Sequence, residues 1–413
     1  MQAQRTKIMD YSQRVVVARQ LGVALGDGLV APDRRRGRGA ASNETGRFEP
    51  TRREEFDDGW ETDETLAPFK TEVIHERART IISRNESPDI SFDRSINPYR
   101  GCEHGCVYCF ARPTHAYMGL SPGLDFETKL FIKDGAAALL ERELAAPSYR
   151  VATIAMGTNT DPYQPIERQY RVTRSILEVL ARYDHPVGIV TKSNLVLRDL
   201  DVLAPMAAKG LAKVYVSVTT LEKDIARKME PRAPIPARRL EAIERLAQAG
   251  VPVGVMVAPI IPAVNDSEIE KILARAHAAG AQEAGYVTLR LPLELRDIFR
   301  EWLLVNYPDK LNHTLSLVQS MHGGKDYDAQ WGKRMAGSGP YAWMIGRRFE
   351  IAAMRLGYNE APTRLRSDLF HKPESEAKGP KQLVLKRAVG LGWAASGERG
   401  PATRPNRRPG ACP

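Results

Sequence analysis

Cysteine is scarce in this sequence, four residues in 413, too few for the disulfide framework that holds small secreted domains together. Long hydrophobic runs are missing too. No stretch approaches the roughly 18 uninterrupted apolar residues of a membrane span, and Met1 to Arg14 is polar where a secretory signal would carry an apolar core. These absences point away from a membrane partner and lead us to expect a cytoplasmic protein. Aromatics are sparse at 7%, but 43% apolar and 27% charged residues is the balance of a globular chain, long enough for one large domain with appendages or two ordinary ones.

The surplus of positive charge is uneven. Of the net +10, residues 371–413 carry 9 Lys and Arg against 3 Asp and Glu, whereas residues 1–66 carry 11 against 12. The centre has only a slight excess, so charge alone does not argue for a nucleic-acid-binding core. The run Arg34 to Arg36 with Arg38 is flanked by Gly and followed by Glu54, Glu55, Asp57 and Asp58, and reads as disordered or draped on a surface. The expected division is a flexible N-terminal extension (1–66), a core (67–292), a helical extension (293–370) and a disordered basic tail (371–413).

Within the core, short β-branched runs alternate with helical patterns. Strands are expected at Ile90–Ile96, Val151–Met156, Val187–Thr191, Lys213–Thr219, Val251–Pro259 and Gly285–Leu291. Helical stripes recur at Val172, Ile176, Val179 and Leu180, at Leu240, Ile243 and Leu246, and at Ile269, Ile272, Leu273 and Ala276. Gly250 and Gly280 stand where left-handed C-caps are wanted, and Asp266 or Ser267 is placed to cap the third helix. Pro205 disturbs the pattern after the third strand. Six strands with intervening helices build a parallel α/β sheet, closed as a barrel or doubly wound, with function gathered beyond the carboxyl ends of the strands.

The chemically unusual residues fall at those ends. Cys102-Glu103-His104-Gly105-Cys106-Val107-Tyr108-Cys109 has the spacing CxxxCxxC, three thiolates on one tight loop, with the fourth cysteine, Cys412, far off in the tail. Three thiolates can hold three irons of a cubane cluster and leave the fourth open. The competing reading is a zinc site completed by His104 or His115, which would make the chain a non-catalytic zinc-dependent nucleic-acid-binding module. Arg112, His115, Lys129 and Lys133 are candidates for contact with an anion.

The CxxxCxxC loop with Tyr108 before its last cysteine resembles the radical S-adenosylmethionine (SAM) superfamily, in particular its spore photoproduct lyase-like branch and, within that, bacterial members of the PA0069 type. The likeness runs over roughly residues 35–360 and is carried by Asn97-Pro98-Tyr99-Arg100-Gly101-Cys102, Gly157 to Pro165 (GTNTDPYQP), Glu230 to Pro234 (EPRAP), Ala258 to Pro262 (APIIP), and Arg36 to Ala40 with Gly46 to Glu49. It implies a partial (β/α)6 parallel barrel with a C-terminal helical extension and flexible termini. It also implies a [4Fe-4S] cluster on Cys102, Cys106 and Cys109, and SAM chelated at the open iron and cleaved to a 5′-deoxyadenosyl radical. A flavodoxin or ferredoxin would be the electron donor.

On this resemblance Thr158, Asn159 and Asp161 would hold the SAM ammonium, Lys192 or Arg232 its carboxylate, and Ser217 the ribose. Ala258, with Val257, Ile260 and Leu289 or Leu291, would flank adenine, and Tyr108 would pack beside the cluster. Plainer readings stand beside each: Asp161 before Pro162 as a turn former, Lys192 as a loop lysine, Ser217 as a strand residue facing a helix, Arg232 paired with Glu230 on the surface. Spore photoproduct lyase also uses an extra cysteine to return a hydrogen atom to its product. This sequence offers none but Cys412, so no photoproduct repair is expected, although nucleic acid as a substrate remains open. In the extension, Phe299, Trp302 and Leu303 form one seam and Tyr341 to Leu356, with Trp343, Phe349 and Met354, another. Met321 to Lys325 and Gly337 to Pro340 read as turns.

Overall fold

The structure, a computed structural model, describes residues 29–51 and 67–373. Its centre is one sheet of seven strands in the order β10-β9-β8-β7-β6-β3-β2. Six of these run parallel in chain order: β3 (Arg94–Ile96), β6 (Ile154–Met156), β7 (Val187–Thr191), β8 (Ala212–Ser217), β9 (Val253–Ile260) and β10 (Glu283–Thr288). The short β2 (Ile82–Arg84) pairs antiparallel on the edge of β3. A parallel order that follows the chain requires a crossover after each strand, and β10 and β3 do not pair, so the sheet is a partial (β/α)6 barrel. A separate small sheet joins β1 (Glu72–Glu76), β5 (Lys129–Lys133) and β4 (Tyr99–Arg100).

Helices α1 (Ala136–Ala145), α2 (Val172–Arg182), α3 (Leu200–Ala208), α4 (Pro236–Gln248) and α5 (Ile269–Ala278) form the crossovers. Each buries one stripe: Ile176, Leu177, Val179 and Leu180 in α2; Leu240, Ile243 and Leu246 in α4; Ile269, Ile272, Leu273 and Ala276 in α5. Gly250 (φ +74°) and Gly280 (φ +100°) close α4 and α5 in the left-handed region, as expected. Pro205 does not break α3; it lies within the helix on its exposed face. The expected cap of α5 is not formed. Asp266 instead accepts the Tyr341 hydroxyl (2.5 Å), and Glu268 accepts Thr220 Oγ1 (2.5 Å) and the Leu221 N–H (2.8 Å).

Beyond the barrel come α6 (Leu295–Asn306), α7 (Leu311–Met321) and α8 (Gly339–Arg355). Phe299, Trp302 and Leu303 of α6 are fully buried, in a second core with Val107, Tyr108, Leu124, Met229 and Leu291. The extension is therefore one wall of the cysteine loop. In α8, Phe349 meets Tyr286 of β10, ring centroids 4.7 Å apart. Trp343 and Met354, expected in that seam, are instead 69% and 73% exposed. Residues 29–51, read from sequence as part of a flexible extension, pack against the cysteine loop, with Ala40 and Ala41 buried. Arg38, expected at the surface, is buried with them. Residues 1–28, 52–66 and 374–413, with Cys412, lie outside the described residues.

Candidate functional site

The cysteine loop joins β4 to a 3-10 turn at Arg112–Met118, beyond the carboxyl end of β3. Two left-handed glycines allow it to turn back on itself. At Gly101 (φ +73°) a Cβ would come within 3 Å of Leu130, His115 and the Phe126 carbonyl, and at Gly105 (φ +67°) it would meet the Glu127 carboxylate at 2.6 Å. Backbone oxygens of the loop and of the segment after it converge on Arg112, which has no exposed surface. Its guanidinium donates to the carbonyls of Cys106 (2.9 Å), Gly105 (3.2 Å), Pro122 (3.1 Å) and Gly123 (2.9 Å), and to Glu127 Oε1 (2.5 Å). Glu127, equally buried, also accepts the N–H groups of Gly39 (2.9 Å) and Ala40 (2.8 Å). Arg38 donates to the Glu127 carbonyl (2.9 Å) and to Thr71 Oγ1 (3.0 Å).

A second buried carboxylate clamps the loop from the other side. Glu230 accepts the Tyr108 hydroxyl, the Arg239 guanidinium and Thr219 Oγ1 (3.0 Å), while the Val107 N–H donates to the Met229 carbonyl (3.0 Å). Burial works to raise the Glu230 carboxyl, but Arg239 and then Lys192 outweigh it and hold it below its ordinary value, so it stays ionised. Burial, with the charges at Cys106 and Glu230, pushes the Tyr108 hydroxyl far up, and it remains a donor. Burial also raises all three thiols, Cys106 to about 12.

The sequence-predicted residues surround this loop. Thr158 and Asn159 follow β6, where a Cβ on Gly157 (φ +87°) would lie 2.0 Å from the Val190 carbonyl oxygen. Their loop is wrapped on Asn97, whose amide donates to Thr158 Oγ1 (3.1 Å) and accepts the Asn159 N–H (3.0 Å). Asp161 accepts Thr191 Oγ1 (2.6 Å), the Lys192 N–H (2.7 Å) and the Tyr163 N–H (2.9 Å), with His104 Nδ1 at 3.4 Å. Burial works to raise its carboxyl; His104 and these hydrogen bonds prevail and bring it down to about 2. The Lys192 ammonium lies 5.7 Å from the centre of the Tyr108 ring, and Cys106 and Glu230 outweigh burial to favour its charge.

Arg232 pairs with Glu103 (2.7 Å), not with Glu230 as its plainer reading had it, and Glu103 also accepts Thr71 Oγ1 (2.7 Å). Ser217, 3% exposed, ends β8 and accepts Arg239 through its carbonyl (3.2 Å). Ala258 lies near the carboxyl end of β9, with Val257 and Ile260 buried beside it. Of the anion candidates, Arg112 and His115 are fully buried and committed, His115 to the Lys129 carbonyl (3.0 Å), Lys129 faces Asp125 (3.4 Å), and Lys133 is 8% exposed. Burial brings His115 down to about 4, where it is neutral.

The donor set fits an iron–sulfur cluster: three thiols on one loop, shielded by Leu124, Phe126 and Ala111, with cations near by to offset thiolate charge. Among the described residues no three His, Cys, Asp or Glu side chains gather closely enough to hold a single metal ion. A cubane, whose ligands each take a different iron, makes no such demand. Sequence reasoning missed Asn97, Arg112, Glu127, Glu230 and Arg239 as organisers of the site. Asn97 and Glu230 did lie within the conspicuous runs NPYRGC and EPRAP, which was the available signal.

Residues 96–276 match the radical SAM superfamily. Rv2578c, an uncharacterized protein of Mycobacterium tuberculosis, is 40% identical over 232 residues, 56% of this chain and 68% of its own length. MJ0683, an uncharacterized protein of Methanocaldococcus jannaschii, is 27% identical over 199 residues, 48% and 71% of the two chains. Among solved structures, a spore photoproduct lyase complexed with dinucleoside spore photoproduct is 15% identical with a TM-score of 0.49, covering 69% of this chain and 80% of that one. This chain belongs to the radical SAM superfamily. Among the described residues no helix is long and apolar enough to cross a membrane.

Proposed function

We propose that the chain is a radical SAM enzyme, with Cys102, Cys106 and Cys109 as the ligands of a [4Fe-4S] cluster. The observation that carries this reading is a loop of three shielded thiols held at the carboxyl ends of six parallel strands by two buried Arg–carboxylate pairs. When bound, the cluster and SAM supply one-electron cleavage of the sulfonium C–S bond to methionine and a 5′-deoxyadenosyl radical. Arg112 and Glu127 fix the loop; Tyr108 covers it on the side where Lys192 offers a cation for the methionine carboxylate. Thr158, Asn159 and Asp161 present acceptors for the ammonium, Arg232 is a second cation near by, Ser217 faces ribose, and Ala258 with Val257 lines the adenine slot. A flavodoxin or ferredoxin would supply the electron.

Anaerobic reconstitution with iron and sulfide, reduction and addition of SAM should yield 5′-deoxyadenosine in the wild type and none in Cys106→Ala. One zinc per chain without acid-labile sulfide would sink the reading. A second reading, nucleic acid as substrate, is favoured by one observation: Arg47 lies over the exposed rings of Phe48 and Tyr117 (5.3 and 5.6 Å), which stack at 5.2 Å, an arrangement suited to bases. It predicts oligonucleotide binding that weakens steeply with salt.

A further inference from the structure

A guanidinium taken out of water needs a counter-charge, and several arginines about this site have a carboxylate within hydrogen-bond reach. Arg112 faces Glu127, Arg239 faces Glu230, Arg232 faces Glu103, Arg334 faces Asp89, and Arg300 faces Asp326. Arg290, two residues beyond the end of β10, has no such partner among the described residues. Its guanidinium lies 4.8 Å from the centre of the Phe110 ring and 5.9 Å from that of Tyr327. Its hydrogen-bond partners among the described residues are the Tyr327 hydroxyl (3.3 Å) and the Met335 sulfur (3.3 Å), and its Nε is buried without a partner. Asp89 feels its charge, but that carboxylate is taken by Arg334 and the Gly332 N–H (2.6 Å).

We propose that Arg290 anchors a substrate oxyanion, a phosphate or a carboxylate. Aromatic rings orient a guanidinium but do not neutralise it, and the fork they hold in place is the half of a bidentate ion pair that a ligand completes. Phe110 directly follows Cys109, so the anchored group lies beside the cysteine loop. Leu291 and Tyr327 also line a cavity of about 650 Å³, which gives room for the organic part of the ligand; its carboxylates Glu294, Asp297 and Asp326 are paired with Arg47, Arg296 and Arg300, and Lys325 stands on the same wall. The inference rests on the proposed function only in taking the cysteine loop as the reacting centre.

The test is calorimetric titration of the full-length, cluster-reconstituted protein with phenyl phosphate, phenylacetate and uncharged 2-phenylethanol. The wild type should bind at least one of the two anions, and the preferred one identifies the oxyanion. Arg290→Met should lose about tenfold or more in affinity, Arg290→Lys an intermediate amount because an ammonium lacks the fork, and Phe110→Leu about two- to fivefold. The uncharged probe should show no dependence on Arg290. Unchanged anion affinity in Arg290→Met, or no anion binding by the wild type up to about 10 mM, would overturn the proposal. Because binding is read without turnover, 5′-deoxyadenosine formation without anion binding would sink this inference alone, and anion binding without 5′-deoxyadenosine would leave it standing.

Discussion

Arg112 satisfies five oxygen acceptors with one side chain, four of them backbone carbonyls of the cysteine loop and the segment after it. Removing it takes that donor from the Gly105, Pro122 and Gly123 carbonyls and leaves Glu127 buried with backbone N–H donors but without its guanidinium partner. Arg112→Met should therefore cost about 3–5 kcal/mol in urea unfolding, and Arg112→Lys should recover little, since one ammonium cannot reproduce the fork; a loss below about 1 kcal/mol would show the pair to be expendable. Glu301 is a carboxyl of the opposite kind. It is 3% exposed, accepts Ser42 Oγ (2.6 Å), and burial pushes it up to about 8. Between the ordinary carboxyl value and 8 the folded chain keeps a proton that the unfolded chain releases, so this group's stabilisation is full below that range and declines as pH rises through it. Wild type minus Glu301→Gln in unfolding free energy should thus be larger at pH 5 than at pH 8 by on the order of a few kcal/mol. Equal differences at the two pH values would refute the argument.

At the scale of elements, the turn from β6 into Gly157 is the tightest link between fold and site. Gly157→Ala adds a Cβ at a positive φ and 2.0 Å from a neighbouring strand's carbonyl, so the loop carrying Thr158 and Asn159 must shift. The expected outcome is a loss of about 1–3 kcal/mol in stability together with weaker SAM binding, measured by equilibrium dialysis; unchanged SAM affinity would show that the loop does not hold it. Strands such as β7, found at the expected Val187–Thr191, were legible because β-branched runs bounded by turns have few other uses. The small sheet was not: Lys129–Lys133 is five residues with a lysine at each end, and its partners Glu72–Glu76 and Tyr99–Arg100 lie far away or are too short to show a period. Helix α8 is legible, but the outward turn of Trp343 and Met354 is not, because large apolar side chains on a helix ordinarily point inward. In the site, the cysteines were legible from spacing, whereas the pairing of Arg112 with Glu127 or Tyr108 with Glu230 was not. Nothing in a single sequence says which buried carboxylate will meet which cation.

For the whole molecule, the cysteine loop is assembled from segments spread over most of the chain: Arg38 to Ala40, Glu127, Glu230 with Arg239, and α6. A chain lacking residues 1–51 should keep its barrel, with far-UV circular dichroism little changed, but should fail to retain iron on gel filtration after reconstitution, because Glu127 loses the Gly39 and Ala40 donors; full iron retention would contradict this. The same dispersal sets a schedule during synthesis. Glu230 is made 122 residues after Tyr108, which at ribosomal speeds is an interval of about 6 to 24 seconds. Until then the three thiols have no lid, and it is on the ribosome, before the fold has closed over them, that they are most open to oxidation to sulfenic acid.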